Sequence, residues 1–292
     1  MEKPRPFRIL HPTDGSASAR AAIATSTGFP WPSHSEARAI IVRPGRFLPP
    51  NADLWARSEA LAGRAAVAAA RTMRARWTEA DAVVREGEAV DRILDEARRW
   101  SANAVVIGWR GHGRFRRLLM GSVSRAVLRR ADTPVLVVRR GIRRVTHLVV
   151  GVDGSAASDR AIRFLARAIV PKSGSITLVT VLQSQPLPSH PLLPGLTAEL
   201  RVDILAQGAK NRAAADRRQK RCAEQLRKAG WRVRGQVRTG APLYELLRSV
   251  DEVGADALVI GATSRSLPRR GLVGSTTDGA VNRSAVPVLV VP

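Results

Sequence analysis

The chain has 292 residues, enough for two domains of ordinary size that each bury a core. Arginine and lysine number 48 against 24 acidic residues, a formal charge of +24, and the only lysines are Lys3, Lys172, Lys210, Lys220 and Lys228. No run reaches the roughly 18 apolar residues that span a bilayer, no secretory apolar segment follows Met1, and Cys222 alone cannot form an internal disulfide, so a cytoplasmic protein with no membrane partner is expected.

In chain order, Phe7 to Leu10 reads as a strand stopping at Pro12, and Asp14-Gly15-Ser16 as the hinge into an alanine-rich helix from Ser16 to about Ser26. Ala39 to Val42 is a second apolar strand, and the alanine/arginine stretch from Asn51 to Ala80 a long helix with few breakers. Ala82 to Val84 is a third strand. Val90, Ile93, Leu94 and Ala97 have the spacing of an amphipathic helix, Val90 to Trp100. Ala104 to Ile107 is a fourth strand, a helix follows from Ser122 to Ala131, and Pro134 introduces a fifth, Val135 to Val138.

The pattern then starts again. Asp153-Gly154-Ser155 repeats the hinge 139 positions on (153 − 14), and Gly261 repeats Gly108 153 positions on (261 − 108), so the second copy carries 14 more residues in between. Its strands read as Leu148–Val150, Ile176–Val181, Arg232–Arg234, Ala257–Ile260 and Val288–Val291. The insertion is assigned to 183–195, where Pro186, Pro188, Pro191 and Pro194 argue for a flexible loop. Continuous apolar strands alternating with helices indicate parallel sheets covered on both faces. The expected fold is therefore α/β, with two doubly wound five-stranded domains at 1–140 and 145–292 joined by a short linker. The final strands, Val135–Val138 and Val288–Val291, are open edges that could pair the halves in pseudo-two-fold fashion or pair two chains as a homodimer.

In such a sheet, ligands bind beyond the carboxyl ends of the strands where the strand order reverses. If the first and fourth strands are neighbours, Asp14 and the glycine loop converge there. Gly108, Gly111 and Gly113 are read as allowing positive φ and close approach of backbone to a ligand, and Gly121-Ser122 as opening a helix whose N–H groups favour an anion. Ser122 and Ser124 add hydroxyls, and Arg114, Arg116 and Arg117 add charge, so a phosphorylated small molecule is the expected ligand.

Gly108-Trp109-Arg110-Gly111, nine residues and Gly121-Ser122, with the Asp-Gly-Ser hinge and the Pro-Val-Leu-Val-Val ending, resemble the universal stress protein family in tandem form over nearly the whole chain. The resemblance implies a stress-response protein that binds ATP, with or without Mg²⁺. It also implies, by position, that Asp14 and the backbone of Val42 contact adenosine while Gly108, Gly111, Gly121, Ser122, Val123 and Ser124 hold ribose and phosphates. In the second copy it points to Asp153, Val181, Gly261, Gly274, Ser275, Thr276 and Thr277. That copy departs from the pattern: Ser264 and Ser266 replace glycines, and Asp278-Gly279 stands where the first has Arg125-Ala126, a carboxylate that would oppose an anion.

Other readings stay open. The hinge could be only a helix cap with turn residues. The arginine-rich surface could bind nucleic acid or another polyanion with the glycine loops purely structural, although Trp31, Trp55, Trp77, Trp100, Trp109 and Trp231 do not interleave regularly with arginine. No Walker loop, metal-ligand spacing or nucleophile elbow occurs, so any hydrolysis should be slow, with His112 the one loop histidine. ATP, AMP or a cyclic nucleotide would each fit the loop chemistry.

Overall fold

The computed structural model describes residues 5–45, 52–110, 120–169, 174–183, 194–262 and 274–292. The first copy runs β1 (Phe7–Pro12), α1 (Ala17–Gly28), β2 (Ser35–Arg43), α2 (Ala52–Arg74), β3 (Asp81–Glu86), α3 (Ala89–Arg99), β4 (Ala104–Gly108), α4 (Ser122–Arg130) and β5 (Val135–Val138). The second runs β6 (His147–Gly151), α5 (Ala156–Ala168), β7 (Ser175–Leu182), α6 (Pro194–Lys228), β8 (Arg232–Thr239), α7 (Pro242–Val253), β9 (Ala257–Gly261), α8 (Ser275–Arg283) and β10 (Val288–Val291).

All ten strands form one sheet in the order β3-β2-β1-β4-β5-β10-β9-β6-β7-β8. Pairing is parallel within each half and antiparallel only at the seam, where Val288 to Val290 face Val137 to Val135. The last strands thus use their open edges on each other. Because the halves are antiparallel, the carboxyl ends of the strands in one half lie at the opposite edge of the sheet from those of the other.

Apolar residues alternate between two cores, one on each face. Ile9, Ala104, Val106 and Leu136 meet α1, α2, α5 and α6, whereas Leu10, Val105, Ile107 and Val135 meet α3, α4, α7 and α8. This is why the strands read as unbroken apolar runs: both faces are buried.

Several boundaries differ from the sequence reading. β2 begins at Ser35, because its first half carries Glu36 and Arg38, held by Arg8 at 3.2 Å and by Asp81 at 2.7 Å. Ion pairs replace the apolar signal there. Helix α2 stops at Arg74, not Ala80; the Trp77 N–H still reaches the Met73 carbonyl at 3.0 Å, and the chain turns before β3 without any breaker residue. Helix replaces part of the expected loop. Pro194 and Gly195, assigned to a loop, start α6, which has 35 residues against 23 in α2. A proline in the first turn sacrifices no intrahelical hydrogen bond. The rest of that expected loop, 184–193, lies outside the described residues.

Candidate functional site

Strands β1 and β4 are neighbours, Ile9 beside Ala104 and Leu10 beside Val105, and the strand order reverses between them. Beyond the end of β1 the chain makes the expected hinge. Gly15 has φ +77° and Gly154 +79°, a conformation that side chains resist. The Asp14 Oδ1 accepts the Ser16 N–H at 3.0 Å, and the Asp153 Oδ1 accepts the Ser155 N–H at 2.9 Å. Ser16 then caps α1 through the Ala19 N–H, and Ser155 caps α5 through the Ser158 N–H. The hinge is therefore a cap with turn residues in both copies, and it leaves both aspartates exposed at the carboxyl edge. Val42 and Val181, half-buried, stand one position before the ends of β2 and β7, opposite Arg85 and Arg238.

The positive φ expected of Gly108 is not found, nor is it found at Gly261. A Cβ on Gly108 would lie 2.8 Å from the Ser18 carbonyl, and one on Gly261 2.7 Å from the Ala157 carbonyl. The missing side chain lets α1 and α5 lie against the strand ends. Gly121 and Gly274 are the N-caps of α4 and α8, and as glycines they bring no side chain to the first N–H groups. Ser122 and Ser275 are exposed beside them, and Val123 and Thr276 half-buried. Ser124 differs from its expected role as a donor to ligand: it is buried and donates to the Gly108 carbonyl at 2.7 Å, as Thr277 donates to Gly261 at 3.3 Å. These hydroxyls bind the helix start to the strand end. Gly111, His112, Gly113, Arg114, Arg116, Arg117, Ser264 and Ser266 lie outside the described residues.

Both copies match the model of the universal stress protein family, over residues 7–139 and 144–292. The chain belongs to the universal stress protein family. Universal stress protein Slr1230 of Synechocystis sp. is 24% identical over 188 residues, 64% of this chain and 57% of that one, so the chain spans little more than half of that relative's length. Universal stress protein Rv2623 of Mycobacterium tuberculosis is 29% identical over 215 residues, 69% of this chain and 65% of that one. A universal stress protein structure from Archaeoglobus fulgidus superposes with a TM-score of 0.67, 21% identity and 98% coverage of both chains, a likeness of fold.

The two universal stress domains surround their hinges differently. Where the first places Ala65 beside Gly15, with its Cβ 3.6 Å from a Cβ built on the glycine, the second places the Arg218 guanidinium over Gly154. At the end of β1, His11 is fully buried and bonded through Nε2 to the Ser26 hydroxyl at 2.9 Å, and that hydroxyl accepts from the Trp31 N–H at 3.0 Å. Burial lowers the His11 pKa from 6.5 to about 4. Among the described residues no group of His, Cys, Asp or Glu could hold a metal ion, and no helix is long and apolar enough to cross a membrane.

The sequence reading missed the residues around the loop's two ends. Trp109, just after β4, accepts the Gly121 N–H through its carbonyl at 3.0 Å, and its buried ring lies under the guanidinium carbons of Arg110 at 5.1 Å and Arg139 at 4.9 Å. A motif of glycines gave no weight to the residues between them. Arg110 also bonds back to α1 through its N–H, 3.3 Å from the Ser18 hydroxyl.

Proposed function

We propose that this universal stress protein binds an adenine nucleotide, ATP with or without Mg²⁺, at the β1/β4 crevice of the first domain and acts in a stress response without strong catalysis. The observation that carries this reading is the meeting, at one strand-order reversal, of the Asp14 hinge with a helix whose glycine N-cap leaves its first N–H groups to an outside acceptor. In that arrangement Asp14 and the Val42 backbone take the nucleoside, and Gly108, Gly111, Gly121, Ser122 and Val123 line the phosphate side, with Ser124 acting through its bond to Gly108. The corresponding set in the second domain is Asp153, Val181, Gly261, Gly274, Ser275, Thr276 and Thr277, with the Arg218 guanidinium added beside the hinge. The two domains are taken as 1–140 and 145–292, and a cytoplasmic location belongs to the same reading.

Calorimetric titration with ATP, AMP and a cyclic nucleotide, with and without Mg²⁺, tests it. Binding is expected to weaken at least tenfold in Asp14→Ala and Gly121→Val; absence of heat with wild-type protein sinks the proposal.

A second reading has its own observation. Lys210, Arg217, Arg221 and Lys228 stand at intervals of seven, four and seven residues on α6, all exposed and opposite the buried Ala215, Gln219, Cys222 and Leu226. This basic stripe, interrupted by Glu224, is the place for a polyanion to dock. Binding of duplex DNA that falls steeply with salt and persists in Gly121→Val supports it; no binding at low salt removes it.

A further inference from the structure

The departure of the second copy from the family pattern has a structural counterpart in the first. Helix α8 reaches the first domain: the Asn282 Oδ1 accepts the N–H of Met120, the residue before the N-cap of α4, at 3.4 Å. The Asn282 side-chain nitrogen donates to the Asp278 carbonyl at 2.8 Å and to the Asp278 carboxylate at 3.3 Å. A carboxylate accepts only, so Asp278 fixes which end of the amide faces Met120. The Asn282 carbonyl in turn accepts from Arg139 at 2.8 Å, the arginine whose guanidinium covers Trp109. Both ends of the first domain's glycine segment, Trp109 and Met120-Gly121, therefore connect to one residue of the second domain.

The arrangement works in one direction. At the offset of 153 positions, Asp278 and Asn282 correspond to Arg125 and Arg129 of α4. An arginine side chain has no acceptor, so α4 cannot return the contact. The carboxylate that is out of place for an anion site in the second copy is in place as the partner of Asn282.

We propose that Asn282, oriented by Asp278, is a positioning residue through which the second domain holds the start of α4 in the geometry that binds nucleotide in the first. The proposal rests on the nucleotide reading of the first site for its ligand, but not for the clamp itself. Loss of the Met120 contact frees the amide that precedes the N-cap of α4, and the second domain thereby tunes an affinity to which it contributes no direct contact.

The experiment uses the full chain and three variants: Asn282→Leu, Asn282→Asp and the double variant Asp278→Asn with Asn282→Asp. Asn282→Asp sets a carboxylate against the Asp278 carboxylate and carbonyl; the double variant restores one side-chain donor and acceptor pair but not the bond to the carbonyl. Hydrogen exchange of the Met120 amide is expected to accelerate roughly tenfold in both single variants and to return toward wild type in the double variant. With ATP as the probe, affinity is expected to fall about tenfold in the single variants, to recover in the double variant, and to do so with Tm unchanged. Exchange that ignores Asn282→Leu overturns the clamp. Accelerated exchange with unaltered ATP affinity overturns its coupling to the site. If wild-type protein binds no nucleotide, the function proposed above fails, and exchange alone decides the clamp.

Discussion

Ser101 holds φ +51° at the C-terminus of α3, and Gly254 holds φ +60° at the matching place after α7. Both positions close their helix in the same way: the Ala102 N–H reaches the Ala97 carbonyl at 2.8 Å, and the Ala255 N–H reaches Val250 at 2.9 Å. The first copy thus has a serine in a conformation that costs a residue with a Cβ about 1 kcal/mol. Nothing lies within 4 Å of a Cβ at Gly254, so the difference is one of backbone alone. Ser101→Gly is expected to stabilise the protein by about 0.5–1 kcal/mol, and Gly254→Ser to destabilise it by a similar amount. Urea denaturation measures both; opposite signs would refute the argument.

His11 makes stability depend on pH. Its folded pKa is about 4, below the ordinary 6.5, because burial disfavours the imidazolium. Between those values the unfolded chain binds a proton that the folded chain does not. The stability is therefore complete above pH 6.5 and is lost as pH falls to 4, by about 3 kcal/mol from this group. The second copy has Val150 at the matching position, equally buried. His11→Val should flatten the stability difference across that window while keeping the Trp31–Ser26 bond. A variant with the wild-type slope between pH 6.5 and 4 shows that other groups set it.

Glu96 is 3% exposed and ion-paired to Arg38 at 3.0 Å and Arg85 at 2.8 Å. Its removal leaves two guanidinium groups facing each other across a half-buried site, with Asp81 and the Trp100 ring left to hold Arg38. Glu96→Ala is expected to cost about 3 kcal/mol. Replacing the exposed Asp91, paired to Arg130 at the surface, is expected to cost under about 1 kcal/mol. Equal losses from the two variants would contradict this ranking.

Glycines divide by what their hydrogen faces. Gly108→Ala and Gly261→Ala push a methyl into the backbone of α1 and α5, and each is expected to destabilise by about 1–3 kcal/mol. Gly63 in α2 and Gly208 in α6 meet nothing within 4 Å. Alanine at either is expected to stabilise by up to about 1 kcal/mol, because both lie in helix interiors. Thermal melts of the four variants test the division, and a stabilising Gly108→Ala would defeat it.

Strand count and the pairing edges were legible because apolar runs such as Ala104–Ile107 and Val135–Val138 are buried on both faces; the strand order around β1 was only a condition of the site. The first half of β2 was not, since Glu36 and Arg38 carry charge there and find their partners on β1 and β3. The helical nature of Pro194 and Gly195 was hidden by reading proline as a breaker when it opens a helix. At the site, the hinge was legible from Asp-Gly-Ser itself. The close packing of Gly108 was not, because the Ser18 carbonyl that excludes a side chain is far away in sequence. Asn282 could have been noticed only by asking why the second copy exchanges Arg125 and Arg129 for Asp278 and Asn282.

The antiparallel seam between β5 and β10 sets the two crevices back to back. One ligand, however long its phosphate chain, cannot straddle Asp14 and Asp153 by lying along a single edge of the sheet. Whatever approaches one rim meets the hinge of one domain alone. The molecule is thus two-sided, with one shared sheet keeping two opposed rims in one body.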